Sequence, residues 1–120
     1  MMHFSDLLGK NLSSVELVQS AAENDSITFV LTSGEKYKLY HYQDCCESVY
    51  IESIVGELSD LIGLPLTMAD ESVSDTEETD DEVEMWTFYR LATVKGYVDI
   101  RWNGSSNGYY SISVDFEPLR

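Results

Sequence analysis

From Asp25 to Tyr42, and again from Tyr97 to Phe116, apolar side chains recur at every second position. Ile27, Phe29 and Leu31 alternate with Thr28, Val30 and Thr32, and Tyr37, Leu39 and His41 alternate with Lys36, Lys38 and Tyr40. A period of two puts the two sets on opposite faces of an extended chain, which a helix of period 3.6 cannot do. Ser33 and Gly34 supply a turn, so 25–32 and 36–42 are expected to form an N-terminal β-hairpin. Further on, Val98, Ile100 and Trp102 share a face, as do Tyr110, Ile112, Val114 and Phe116, which alternate with Tyr109, Ser111, Ser113 and Asp115. With 85–93 upstream and short connections at 95–96 and 103–108, these runs predict a C-terminal three-stranded antiparallel meander with one buried face.

The segment between them carries helical signals. Asp44 and Glu47 match a D-x-x-E capping box, and Ile51, Ile54, Val55, Leu58, Leu61 and Ile62 recur three and four residues apart. These signals fit a helix that starts at the capping box, but Val49, Tyr50 and Ile51 are β-branched or aromatic and equally fit a short strand. The shorter helix, over 54–62 and ending at Gly63, is the reading adopted, while strand or helix for 48–54 stays open. Phe4, Leu7 and Leu8 predict one helical turn with Ser5 as its cap, 12–19 reads as a strand, and Pro65 places 64–69 at a strand start or sheet edge. The sum is a single α+β domain over 1–120: a mostly antiparallel sheet with one main short helix and a long acidic loop.

Charge narrows the function. Seven Lys and Arg stand against 22 Asp and Glu, a formal charge of −15. A chain so acidic repels phosphate backbones, so direct nucleic-acid binding is not expected. Residues 39–89 contain no Lys or Arg, and nine acids fall within 70–84. This stretch reads as a solvated, mobile internal loop, with 71–83 the least ordered internal segment. No apolar run is long enough to span a membrane and no secretory signal opens the chain, so a cytoplasmic location is expected.

Several residues carry reactive side chains. His41, Asp44, Cys45, Cys46 and Glu47 fall within seven residues, and a thiolate beside an imidazole is the minimum for nucleophilic catalysis. The spacing shows neither an orienting third group nor an oxyanion donor, and His41 lies on an apolar strand face where a core histidine is the commoner outcome. Bridging adjacent cysteines demands a strained ring, so Cys45 and Cys46 are expected to be reduced and non-catalytic. Two His and two adjacent Cys are too few for a zinc site, and the acidic stretch lacks the central Gly and alternating order of a calcium loop. There is no phosphate-binding glycine motif and no nucleophile elbow. No enzyme activity, metal or cofactor is expected.

Tyr-Lys-Leu-Tyr-His at 37–41, Asp-Cys-Cys-Glu-Ser-Val-Tyr-Ile-Glu at 44–52, Gly-Glu-Leu-Ser-Asp-Leu-Ile-Gly at 56–63 and Trp-Thr-Phe-Tyr-Arg-Leu-Ala-Thr at 86–93 form a distinctive series. With Lys-Gly-Tyr-Val at 95–98, Ile-Arg-Trp at 100–102 and Ser-Asn-Gly-Tyr-Tyr-Ser at 106–111, the chain resembles a family of small uncharacterised proteins from bacteriophages and bacterial mobile elements, a domain of unknown function. The resemblance spans nearly the whole chain, and Asp-Cys-Cys-Glu is its most specific part. It implies a phage setting, and no activity or catalytic residues.

These features lead to an expected small acidic phage-type binding protein: an anti-defence, anti-CRISPR-like inhibitor of a host protein with a basic surface, imitating nucleic-acid charge. Asp75, Glu77, Glu78, Asp80, Asp81 and Glu82 would supply the charge and Tyr109, on the outward register of the meander, an exposed anchor. The alternative is a small-molecule or nucleotide binder using Tyr37, His41 and Tyr42, and the third reading is a hydrolytic or metal-dependent enzyme. A homo-oligomer stays open.

Overall fold

The computed structural model describes residues 3–20 and 23–119. The chain folds into two antiparallel sheets. The first contains β1 (Leu12–Ser20), β2 (Glu23–Leu31), β3 (Lys36–Tyr40) and β9 (Asp115–Leu119) in that spatial order. The second has the order β4-β8-β7-β5, built from β4 (Ser48–Val55), β5 (Met68–Val73), β7 (Val83–Thr93) and β8 (Gly96–Ser106), with the two-residue β6 (Glu77–Glu78) also paired to β7. Short 3₁₀ turns at Phe4–Leu7 and Leu58–Leu61 are the only helical segments among the described residues, and none is long and apolar enough to cross a membrane. The α+β expectation with a main helix is therefore corrected to a nearly all-β fold.

The core lies between the inward faces that the alternation specifies. Ile27, Phe29 and Leu39 from the first sheet and Tyr89, Leu91, Val98, Ile100 and Trp102 from the second are almost completely buried. Phe4 joins the two sheets: its ring lies 4.7 Å from Tyr89, 5.4 Å from Phe116 and 6.1 Å from Phe29. A single short turn thus brings an aromatic side chain against both layers, where aromatic pairs favour the tilted and edge-on geometries found here.

The expected hairpin forms, with Phe29 opposite Tyr37 and Ile27 opposite Leu39. The expected helix over 54–62 does not. The Ile51–Ile54 spacing of three arises from a β-bulge, and the Leu58–Leu61 spacing from the short 3₁₀ turn. In β4, Val49 and Ile51 point inward and Tyr50 outward; the register then shifts between Ile51 and Ser53, so that Ile54 returns opposite the buried Ile100. One extra residue in a strand turns a spacing of two into a spacing of three, which mimics helical periodicity. Gly56, at φ +103°, ends the strand.

The C-terminal meander is also corrected. β7 and β8 pair along their full length, from Val83 opposite Ser106 to Thr93 opposite Gly96, but the chain then leaves that sheet. Ile112 folds back over Gly104, where a Cβ would strike the Ile112 carbonyl, and β9 crosses to pair with β3, placing Phe116 opposite Leu39. The alternation over 109–116 marks burial against the core, and only its final residues join a ladder. Ile112 is buried and Phe116 stacks on Tyr37 at 5.6 Å, so the face was legible while the partner strand was not.

The acidic stretch 70–84 is partly a hairpin limb. Asp70, Glu71, Ser72 and Val73 pair with β7, opposite Arg90, Tyr89, Phe88 and Thr87, and Glu77 stands directly opposite Glu84. Ser74 secures the turn from both sides: its N–H donates to the Trp86 carbonyl at 2.9 Å, and its Oγ accepts the Trp86 N–H at 2.9 Å. Carboxylates along such an outer strand discourage edge-to-edge pairing with another chain, which is a structural use for part of the charge.

Candidate functional site

The outward face of the second sheet carries a dense set of exposed aromatic and charged side chains. Cross-strand registry sets Trp86, Phe88 and Arg90 of β7 beside Asn103, Arg101 and Asp99 of β8, while Ser72 and Asp70 of β5 flank Phe88 and Arg90. Arg90 grips Asp99 with two parallel hydrogen bonds, Nε to Oδ1 at 2.7 Å and Nη2 to Oδ2 at 3.1 Å. Asp99 thereby raises the Arg90 pKa above its ordinary value. Arg101 donates to Glu52 at 2.6 Å and lies 5.1 Å from the Trp86 ring centre in a cation–π arrangement. Between these pairs lies a shallow concavity of about 670 Å³ lined by Val55, Asp70, Phe88, Arg90, Asp99 and Arg101. Phe88 is 37% exposed and Tyr97, also on this face, 57%.

The acidic hairpin borders this face, because β5 and β6 are its edge. Asp75, Glu77, Glu78, Asp80, Asp81 and Glu82 are all exposed, and among the described residues none of the nine acids of 70–84 forms an ion pair. Tyr109 is 88% exposed but lies off the sheet, on the connection between β8 and β9. Its N–H donates to Asn107 Oδ1 at 3.0 Å, and the adjacent Gly108 lies against Val83 at the start of β7. The Tyr109 loop therefore abuts the second limb of the acidic hairpin. Sequence reasoning did not single out Phe88 and Arg90: their placement beside the acids depends on the β5–β7 pairing, which no local pattern announces.

A second constellation surrounds Glu47. Its side chain is fully buried and accepts hydrogen bonds from His41 Nε2 at 2.8 Å, the Asp44 and Cys45 N–H groups at 2.9 Å each, and Gln43 Nε2 at 3.1 Å. The Asp44 bond is the return half of the expected capping box, yet the chain continues as strand β4. Burial pushes the carboxyl up, but the Asp44 N–H, His41 and the Cys45 N–H outweigh it and hold the pKa down at about 2. The other His41 nitrogen, Nδ1, lies 2.7 Å from the Ser113 carbonyl, so both ring nitrogens are engaged. His41 is thus a core histidine tying the β3–β4 crossing to the segment before β9.

Around this carboxylate the loop turns tightly enough to bring Cys45 and Cys46 together, and the two are bonded as a vicinal disulfide at an exposed position. The expectation of two reduced thiols is corrected: the two sulfurs are joined in the same turn whose Asp44 and Cys45 N–H groups the buried Glu47 carboxylate holds.

Tyr37, His41 and Tyr42 do not converge. Tyr37 faces the core and donates to Glu35 at 2.6 Å, His41 is engaged on both nitrogens, and Tyr42 is 71% exposed. His41 and Tyr42 border a shallow concavity with Lys38 and Tyr40, whose hydroxyl donates to Glu117 and is pushed up to about 12 by that bond. No cluster of three or more His, Cys, Asp or Glu poised to hold a metal occurs among the described residues.

A family profile described as a domain of unknown function, DUF7448, matches residues 5–116, and the chain belongs to that family. No curated protein and no solved structure matches the chain.

Proposed function

We propose that this member of the DUF7448 family is a non-enzymatic protein-binding domain whose partner presents a basic surface. One observation carries the reading: an acidic hairpin with no ion pair among the described residues borders a solvent-facing sheet surface that displays Phe88 and Tyr97, with Trp86 half-buried beside them. Dense unpaired carboxylates speed encounter with a basic partner, while aromatic side chains on a rigid sheet offer large contact area at low entropy cost. Asp75, Glu77, Glu78, Asp80, Asp81 and Glu82 are assigned to steering, and Tyr109, on the loop beside them, to the rim of the same surface.

The finer reading is an anti-defence inhibitor that meets a host nucleic-acid-binding protein in the host cytoplasm and occupies its basic groove. The charge density of 70–84 and the resemblance to phage and mobile-element proteins support it. The test is affinity capture from a bacterial lysate followed by reconstitution with the purified partner. The reading expects a nucleic-acid-binding protein that is retained by wild type, lost by Phe88→Ser, and displaced from its own nucleic acid. Purified protein carrying a stoichiometric small molecule, with no protein captured, would overturn it in favour of a ligand binder.

A further inference from the structure

The chain contains two cysteines, and the structure joins them to each other on an exposed loop. That loop is no passive connection. It is the crossing from the first sheet to the second, and it is wound around the buried Glu47 carboxylate, which takes the N–H groups of Asp44 and Cys45 while His41 anchors the carboxylate to the Ser113 carbonyl. Gln43 Nε2 closes the loop from the other side, donating to the Glu47 carbonyl at 2.8 Å. We propose that Cys45 and Cys46 form a surface redox site, which exchanges two electrons with uncharged or cationic thiols while the fold stays intact.

The reaction balances without a cofactor. A thiolate attacks one Sγ, the Sγ–Sγ bond breaks, a mixed disulfide forms, and the second cysteine leaves as a thiolate that takes up a proton. A second thiol, having lost its proton, attacks the external sulfur of the mixed disulfide and releases the first cysteine. Two external thiols become one disulfide, and the protein disulfide becomes a dithiol. With no other cysteine in the chain, the one internal competitor is the freed neighbouring thiolate, whose attack on the mixed disulfide reverses the first step; excess external thiol carries the second step forward. Selectivity follows from charge: the protein carries −15 and residues 39–89 hold no Lys or Arg, so an anionic thiol approaches against a repulsive field that a neutral or cationic one escapes. Glu47 acts as a positioning residue, holding the backbone that brings the two sulfurs together.

The test uses the full chain purified without reductant. Thiol titration of the folded protein should find none before treatment, both cysteines after mild 2-mercaptoethanol, and none again after reoxidation, with tryptophan fluorescence and far-ultraviolet circular dichroism unchanged throughout. Reduction rates with cysteamine, 2-mercaptoethanol and glutathione, each normalised to the same thiol acting on an uncharged small disulfide, should place glutathione at least about threefold behind the neutral thiol at low salt, with the gap closing near about 0.5 M salt. Glu47→Gln should shift the exchange equilibrium with hydroxyethyl disulfide at least about fivefold toward the dithiol. Should that variant not fold, Gln43→Ala gives the same readout in the same direction. Two free thiols in the untreated protein, reduction only on unfolding, or equal normalised rates for all three thiols would overturn the proposal.

Discussion

Replacing Gly56 with Ala separates a strand reading of 48–55 from a helical reading of 54–62 by sign. In a helix interior, Gly to Ala stabilises by about 1 kcal/mol. In the structure Gly56 adopts φ +103° at the end of β4, and a Cβ there would collide with the Tyr97 carbonyl oxygen and come within 3.2 Å of Val98 Cα. Forcing Ala into that backbone region costs about 1–2 kcal/mol. Relieving the collision requires β4 to part from β8, loosening the pairing of Val55 with Asp99, for about 1–2 kcal/mol more. The sum is a loss of about 2–4 kcal/mol, or roughly 8–20 °C in Tm for a domain of this size. Gly34→Ala is the control: φ is +95° but nothing lies within 4 Å of the added carbon, so only the conformational part, about 1–2 kcal/mol, should appear. Urea unfolding followed through Trp102, which is buried, should give both values with an unchanged m-value. If Gly56→Ala proves as stable as wild type, or no worse than Gly34→Ala, the assignment of β4 and its close approach to β8 is wrong.

Phe4→Ala should cost about 3–5 kcal/mol in the same assay, because one ring contacts aromatic side chains of both sheets; a cost under about 1 kcal/mol would contradict that role. Glu47 has a folded pKa near 2, below its ordinary 4.5, so its contribution to stability is complete above about pH 4.5 and is lost as pH falls toward 2. Tm against pH should therefore fall more steeply over that window in wild type than in Glu47→Gln, and parallel curves would refute the depressed pKa. Asp25 Oδ2 accepts the Ile51 N–H at 2.8 Å on the open edge of β4; Asp25→Ala should cost about 1–2 kcal/mol and speed exchange of the Ile51 amide, and unchanged exchange would show that the bond is not made.

How far the sequence revealed the fold follows from what each signal encodes. Alternation reports which side chains turn inward, and it located the β2–β3 hairpin and the buried faces of Val98, Ile100, Trp102 and Ile112 correctly. It does not report which strands pair, so the crossing of β9 to β3 was invisible: nothing local distinguishes a third meander strand from one that changes sheets. A bulge after Ile51 disguised strand as helix because an inserted residue shifts the phase of the pattern. At the candidate site, the acids of 70–84 were legible from charge density; Tyr109 is exposed as expected, but on a connecting loop and not on the meander strand whose register was the reason. Phe88, Arg90 and Arg101 were not legible, since their place beside the acids depends on β5 pairing with β7. The loop around Glu47 was half legible: Asp44 and Glu47 make the capping bond their spacing announces, but the same carboxylate also gathers His41 and Cys45, in a turn that holds a disulfide that neighbouring cysteines were not expected to form.

The central claim is that the acidic hairpin and the aromatic sheet face act together as one binding surface, with charge governing encounter and aromatic contact governing residence. Association and dissociation rates measured with the purified partner over a range of salt test it most directly, comparing wild type, the variant with Asp75, Glu77, Glu78, Asp80, Asp81 and Glu82 changed to their amides, and Phe88→Ala. The account predicts that the amide variant loses the salt dependence of association, about tenfold or more at low salt, with dissociation nearly unchanged, whereas Phe88→Ala speeds dissociation about tenfold or more at every salt concentration. Association of wild type that is independent of salt, or dissociation indifferent to Phe88→Ala, would contradict it.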